Sequence, residues 1–216
     1  MSRTFSEQER QQLDLRVAET EKRTGAQVVC AVVDRSDVYA ELPWKAFALG
    51  ASVSGAIVFL LDLLRQGWAS PAAVLIAVIT TLASGATCAL LCVWVPTLAR
   101  LLLDARRAEV EVRQYAESLF LSRELFATRN RTGVLLFISL FERRVAVLPD
   151  TGLATSLAHD NLQKITAGMA AALSAGHVSR ALEQGLAGLE DVLAPTAAGR
   201  SRENEITESI IEEKGQ

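Results

Sequence analysis

A chain of 216 residues has room for one domain of ordinary size together with a membrane segment. Half of its residues are hydrophobic, and a formal net charge of −3 gives no bulk attraction to nucleic acid, so we expect no nucleic-acid partner. Three cysteines are too few for a disulfide framework and are typical of a reducing compartment.

The first predicted elements are a helix and a buried strand. Ser6 and Glu9 have the spacing of a capping box, and Gly25 is expected to end the helix. Residues 26–33, AQVVCAVV, are apolar throughout, as in a strand that is covered on both faces. Residues 1–43 therefore predict the first part of a soluble α/β domain.

Two apolar runs interrupt this domain at residues 44–96, and they carry no charge from 46 to 61 and from 71 to 95. The predicted spans are about 44–64 and 71–95, each long enough to cross a bilayer as a helix. Trp44, Trp68 and Trp94 fall where a hairpin would meet the headgroup layers. A buried hairpin in a soluble core is the alternative, but the rest of the chain is too small to cover it. We therefore expect a transmembrane helical hairpin in the lipid bilayer.

Small residues recur every four positions along both spans and would let the helix backbones approach closely in lipid. They are Gly50, Ala51, Ser54 and Gly55 on the first span, and Ala73, Ala77, Thr81, Gly85 and Ala89 on the second. Packing within the hairpin is the favoured use of this face. A homodimer through the same face is the alternative.

Basic residues are concentrated at the outer ends of the two spans. Lys45 precedes the first span, and Arg100, Arg106 and Arg107 follow the second, whereas the turn between them offers Arg65. The positive-inside rule then predicts that the soluble domain and both termini are cytoplasmic. The N-terminal residues contain no apolar core, so we also expect no cleavable signal peptide.

Residues 97–195 predict the remainder of the domain. A long helix is expected from 97 to about 127, followed by strands ending at Leu140 and Pro149 and by helices at about 157–174 and 178–193. Residues 196–216 form an acidic segment that predicts a flexible tail. The alternative is a short amphipathic helix with Ile206, Ile210 and Ile211 on one side, which would dock on a protein partner.

Three segments carry a family resemblance. They are RTGAQVVCAVV (23–33), RTGVLLFISLFERRVAVL (131–148) and DTGL (150–153). With these motifs the chain resembles the TPM-domain family, and more narrowly a proteobacterial subgroup of short integral membrane proteins in which a hairpin interrupts the domain. The resemblance implies an α/β fold, a TPM-like sandwich with a small mixed sheet flanked by helices. It also implies a multi-pass protein of the bacterial inner membrane.

The resemblance implies a function as well. It favours a non-enzymatic adaptor or accessory factor in the assembly, repair or regulation of membrane proteins, with a LemA-type membrane protein as the suggested partner. Some family members are described as acid phosphatases or cation binders, so a metal-dependent acid-phosphatase-like hydrolase is the alternative. Many members have a Gly-x-Gly turn and acidic residues where this chain has LPDTGLA, and we therefore transfer no phosphatase site.

Four acidic residues are the candidate metal ligands. Asp34, Asp37 and Glu41 follow the first strand, at the carboxyl end where ligands of α/β sheets usually bind. Asp150 follows the last strand of the hairpin motif and could approach them. Carboxylate oxygens suit Ca²⁺ or Mg²⁺, although acids in a solvated loop are the plainer interpretation. The sequence contains no P-loop, zinc spacing or nucleophile elbow, and it assigns no catalytic residue.

Overall fold

The computed structural model describes residues 5–65, 70–197 and 209–215. The chain divides into two compact units. We call Met1–Asp37 with Arg106–Gln216 the α/β unit, and Val38–Ala105 the hairpin unit. The second unit is inserted into the sequence of the first.

The α/β unit is built on a mixed sheet of four strands. In chain order they are β1 (Gln27–Val33), β2 (Gly133–Ser139), β3 (Arg144–Pro149) and β4 (Ile210–Glu213). Their order across the sheet is β3-β2-β1-β4, with β1 parallel to β2 and to β4, and β2 antiparallel to β3. This mixed sheet flanked by helices confirms the predicted fold class.

Helices cover both faces of the sheet. On one face, α1 (Glu7–Thr24), α6 (His159–Ser174) and α7 (Val178–Leu193) pack against alternate residues such as Cys30 and Leu136. On the other face, α5 (Ala105–Ser122) packs against residues such as Val29 and Phe137. Every residue of β1 and β2 is buried, which explains why both strands are continuously apolar in the sequence.

The predicted boundaries of α1 are confirmed. The Ser6 side chain accepts a hydrogen bond from the Glu9 amide, and the Glu9 carboxylate accepts one from the Ser6 amide. At the other end, Gly25 adopts the left-handed conformation with φ 65°, and its amide donates to the Glu21 carbonyl oxygen. Local residues therefore cap both ends of the helix.

The hairpin unit consists of α2 (Glu41–Arg65), α3 (Pro71–Trp94) and the short α4 (Pro96–Leu102). Helices α2 and α3 are long and apolar enough to cross a membrane, and only 6% of the most apolar stretch of each is buried. Gly50 and Gly85 lie where the two helices touch. A Cβ atom at Gly50 would lie 2.6 Å from Cys88 Sγ, and one at Gly85 would lie 2.9 Å from Phe47 Cε2.

The long helix expected over residues 97–127 is not continuous, so this prediction was wrong in detail. Helix α4 ends at Leu102, and Leu103 adopts an extended conformation with ψ 125°. Helix α5 begins at Ala105, directly after Asp104, a residue type that is favoured at helix N-caps. A single turn of 3₁₀ helix, Leu125–Ala127, follows after α5.

The prediction of a flexible or helical C-terminal segment was also wrong for residues 210–213, which form β4. Ile210 and Ile211 are 1% and 4% exposed, and they enter the two cores on opposite faces of the sheet. Two successive residues can do this only in a strand, because neighbouring side chains of a strand alternate between faces. Residue Ile206 lies outside the described part of the chain.

Candidate functional site

The carboxyl end of β1 leads into a loop that is tied to the turn after β2. Phe141 N donates to Asp34 O at 2.9 Å, and the Arg35 guanidinium lies 4.0 Å from the centre of the Phe141 ring. On the other side, Asp34 N donates to Glu213 O at 3.2 Å. The loop is thus held between the β2–β3 turn and the end of β4.

A buried network of two serines and a glutamate fixes this loop further. Ser36 N donates to Glu142 Oε1 at 3.0 Å, and Ser36 Oγ donates to Ser139 Oγ at 3.0 Å. Ser139 Oγ in turn donates to Glu142 Oε2. All three side chains are buried, so these hydrogen bonds are what allow the Glu142 carboxylate to leave water.

Asp37, one of the acids predicted as metal ligands, is paired with a basic side chain of the α/β unit. The Asp37 carboxylate pairs with Arg107 at 3.3 Å, and Arg107 Nε also lies 3.7 Å from Glu111. Glu41 is the first residue of α2 and belongs to the hairpin unit. Asp37 is therefore neutralised by a guanidinium within the α/β unit.

Asp150 lies at the opposite end of the sheet, so the expectation that it approaches Asp34 was wrong. Because β3 is antiparallel to β2, Pro149 pairs with Val134, whereas the end of β1 pairs with Ser139. At about 3.3 Å per residue the two ends are separated by about 20 Å. Asp150 instead accepts a hydrogen bond from Thr151 N at 2.7 Å and lies 3.5 Å from Arg131 Nε.

Asp34 and Asp150 cannot share one Ca²⁺ or Mg²⁺ site. Such ions need several oxygen ligands that converge on one point. Within residues 5–65, 70–197 and 209–215, no group of three or more His, Cys, Asp or Glu side chains could hold a metal ion. Within the α/β unit, Asp34 and Asp150 lie at opposite ends of the sheet.

The structure shows a different site at the carboxyl end of the sheet, which we call the α5 cleft. It is a polar depression of about 510 Å³ between α5, the loop after β1 and the end of β4. The residues that line it are Ser36, Glu111, Gln114, Tyr115, Ser118, Leu119, Ser122 and Glu213. Six of them come from α5, where the helical repeat brings them to one face.

The α5 cleft already contains one bound carboxylate, that of Glu213. Tyr115 OH donates to Glu213 Oε2 at 3.1 Å, and Arg123 Nη2 lies 2.7 Å from Glu213 Oε1. Burial, and then the neighbouring Glu213 charge, raises the pKa of Tyr115, so the phenol stays protonated and donates at neutral pH. A neutral donor and a guanidinium together form a receptor for a carboxylate group.

Sequence reasoning missed this site because it assigned Glu213 to a flexible tail. The signal that could have found it is the pair Ile210–Ile211, since β-branched residues favour strands. Nothing local, however, indicates which strand they join. The sequence places Tyr115 and Arg123 in a predicted long helix and does not show that they contact Glu213.

Comparisons with known proteins agree with the fold. A family model described as the TPM domain matches residues 69–192, more than half of the chain. The NMR structure of the BA42 protein from the psychrophilic bacterium Bizionia argentinensis has the same fold, with a TM-score of 0.59 at 11% identity over 98% of this chain and 97% of that one. No curated protein matches the chain. The resemblance to the TPM domain is thus confirmed, and the chain belongs to the TPM-domain family.

Proposed function

We propose that this protein is a membrane-anchored, non-enzymatic adaptor. In this proposal the hairpin unit spans the bacterial inner membrane, the α/β unit and both termini are cytoplasmic, and the α5 cleft binds another protein. The observation that carries the proposal is a pair of long apolar helices, almost fully exposed, in a chain whose α/β unit has hydrophobic cores of its own.

The exposure of the hairpin supports membrane anchoring. Its large apolar side chains face outward along both helices, for example Leu49, Phe59 and Ile79, each more than half exposed. A continuous apolar surface of this extent is rare on proteins that live in water and is the normal surface of a helix in lipid. Hydrocarbon chains would cover it without any further protein.

The flanking residues support the orientation. Trp44 and Trp94, near the start of α2 and at the end of α3, are 73% and 78% exposed, as expected of indoles at a membrane interface. Trp68 lies outside the described residues. Lys45 and Arg100 adjoin the same ends, so the positive-inside rule places those ends in the cytoplasm.

The α5 cleft supports the adaptor role over the hydrolase. It holds the side-chain carboxylate of Glu213 through a phenol and a guanidinium, an arrangement suited to binding an acidic side chain. Hydrolysis of a phosphomonoester needs cationic or metal stabilisation of the developing charge, and Glu111 and Glu213 make the cleft a poor place for a second anion without such help.

Reporter fusions test the anchoring and the orientation. Alkaline phosphatase fused after Leu193 is expected to be inactive, whereas the same reporter inserted between residues 66 and 69 is expected to be exported and active. Release of the protein from membranes by alkaline carbonate would contradict spanning, and the reverse pattern of reporter activity would contradict the orientation.

Site-specific cross-linking tests the adaptor role. A photo-reactive residue in place of Ser118 in the α5 cleft should form a discrete adduct in cells, and the same residue in place of Glu183 on α7 is the control. The purified protein is assayed in parallel with p-nitrophenyl phosphate and Mg²⁺ or Ca²⁺. Metal-dependent turnover that is lost with Tyr115→Phe would overturn the adaptor proposal in favour of the hydrolase.

A further inference from the structure

The C-terminal segment 209–215 pairs with the edge of β1 in the same way as a bound peptide that adds a strand to a sheet. Strand β4 lies parallel to β1, with Ile210 opposite Cys30 and Glu213 opposite Val33. It has four residues and forms an edge of the sheet. Addition of a short extended segment to a sheet edge is a common mode of peptide recognition, in which backbone hydrogen bonds provide affinity and alternate side-chain pockets provide specificity.

Four positions of the segment make distinct contacts with the rest of the α/β unit. Ile210 and Ile211 fill apolar pockets on opposite faces of the sheet. The Glu213 carboxylate is held by Tyr115 and Arg123 in the α5 cleft. Gly215 lies with φ 73° against the backbone of Arg35, where a Cβ atom would be 1.7 Å from the Arg35 carbonyl oxygen. These contacts therefore select a segment with two adjacent aliphatic residues, an acid two positions after them and a glycine two positions after the acid.

The cleft is larger than this one carboxylate requires. Gln114, Ser118 and Ser122 line it with polar groups beyond the Tyr115–Arg123 pair. Segment 209–215 belongs to the same chain, but its contacts with β1 and α5 are all non-covalent. Any extended segment with the same pattern could make them, because a parallel edge strand is recognised through backbone groups that every residue carries.

We propose that the edge of β1 and the α5 cleft form a peptide-binding site, occupied in cis by β4, that accepts in trans an extended acidic segment of a partner protein. The partner segment carries two adjacent aliphatic residues followed by acidic residues, as IIEEKG does in this chain. This inference rests on the proposed adaptor function and specifies how the partner is recognised. β4 then acts as a competitor that a partner must displace.

The test measures binding of a labelled peptide, ESIIEEKG, to the full-length protein in detergent. In the variant Ile211→Glu the cis strand is weakened while the receptor stays intact, so the peptide is expected to bind at least about tenfold more tightly than to wild type, which corresponds to about 1.4 kcal/mol. Adding Arg123→Gln to this variant should weaken binding by about tenfold, because a charge-assisted hydrogen bond is lost. A peptide with alanine at the position of Gly215 should also bind more weakly.

A second measurement does not depend on the folding of a variant. A protease site placed between residues 198 and 208 of the otherwise wild-type chain allows β4 to be cut free after folding. The labelled peptide should then replace the released segment, and excess unlabelled peptide should displace it. Absence of saturable exchange in the cleaved protein, with an unchanged far-ultraviolet circular dichroism spectrum, would overturn the inference.

The two proposals fail in different ways. The peptide assay needs neither a membrane nor a partner, so absence of peptide binding alongside a specific Ser118 adduct in cells overturns strand addition and leaves the adaptor function standing. Peptide binding together with metal-dependent phosphatase turnover would instead overturn the adaptor function. Peptide binding that is unaffected by Arg123→Gln would overturn the part of the inference in which the α5 cleft binds the acidic side chain.

Discussion

Two buried acids of the α/β unit, Glu142 and Glu21, are held by hydrogen bonds. The Glu142 carboxylate accepts hydrogen bonds from Ser36 and Ser139, whereas Glu21, near the end of α1, accepts one from Val28 N at 2.9 Å. Burial raises the pKa of Glu21, and the backbone hydrogen bond only partly opposes that effect. Folding therefore destabilises the charged form of Glu21 relative to its protonated form.

The pH dependence of stability should reveal this residue. Because the pKa of Glu21 is raised above 4.5 in the folded state, the folded protein binds the proton more tightly than the unfolded chain does. Wild type should therefore gain stability relative to Glu21→Gln as the pH falls from neutral toward about 4.5, measured as the difference in melting temperature in detergent. Glu183→Gln, on an exposed position of α7, is the matched control. A difference that does not change with pH would contradict the raised pKa.

At the scale of elements, the hairpin depends on close backbone approach. Gly50 and Gly85 lie where α2 touches α3, with Cys88 and Phe47 as their respective neighbours. In lipid the hydrophobic effect does not drive helices together, so van der Waals packing between small residues has to do so. Part of the predicted small-residue face is thus used within the hairpin.

Alanine substitutions separate packing from helix propensity. Replacing a helical glycine by alanine gains about 1 kcal/mol in propensity, but at Gly50 the new Cβ atom would lie 2.6 Å from Cys88 Sγ. Overpacking costs about 1–3 kcal/mol, so we expect Gly50→Ala to lower the melting temperature in detergent. At Gly55 the nearest atom is 3.9 Å away, so Gly55→Ala should leave the melting temperature unchanged or raise it. Equal effects at both positions would contradict tight packing at Gly50.

At the scale of the whole molecule, the hairpin unit is an insertion whose two ends lie close together in the α/β unit. The Asp37–Arg107 ion pair, at 3.3 Å, joins the residues that flank the insertion. Surface connections tolerate long insertions because extending a loop adds little to its closure entropy. The core of the α/β unit, including β1, β2 and α5, consists of residues outside the insertion.

Removing the hairpin should therefore leave a domain that folds in water. We expect the chain to be soluble and to melt cooperatively when a Gly/Ser linker of about six residues replaces residues 39–104. Such a linker spans up to about 20 Å, which is enough to join the neighbouring ends of the α/β unit. The measurement is gel filtration followed by thermal unfolding. Val29→Asp in the shortened chain, which buries a charge in the core, is the control that should abolish folding. An aggregated product with every linker length would contradict an independent α/β unit.

The sequence by itself determined the features whose information is local. The capping box of Ser6 and Glu9, the left-handed turn at Gly25 and the continuously apolar strands β1 and β2 were all predictable, because each depends on neighbouring residues or on burial of a whole segment. The two long apolar helices were predictable for the same reason, since length and composition define them. The motif segments 23–33 and 131–148 were sufficient to indicate the TPM-domain family.

Only the tertiary structure decided where distant segments meet. The antiparallel direction of β3 carries Asp150 to the end of the sheet away from Asp34, and no property of the residues around Asp150 shows that. The pairing of Ile210 with Cys30 likewise brings Glu213 to Tyr115 and Arg123 and so forms the α5 cleft. Strand order and register follow from the burial and hydrogen bonding of residues far apart in the chain, and those interactions exist only once the sheet has assembled.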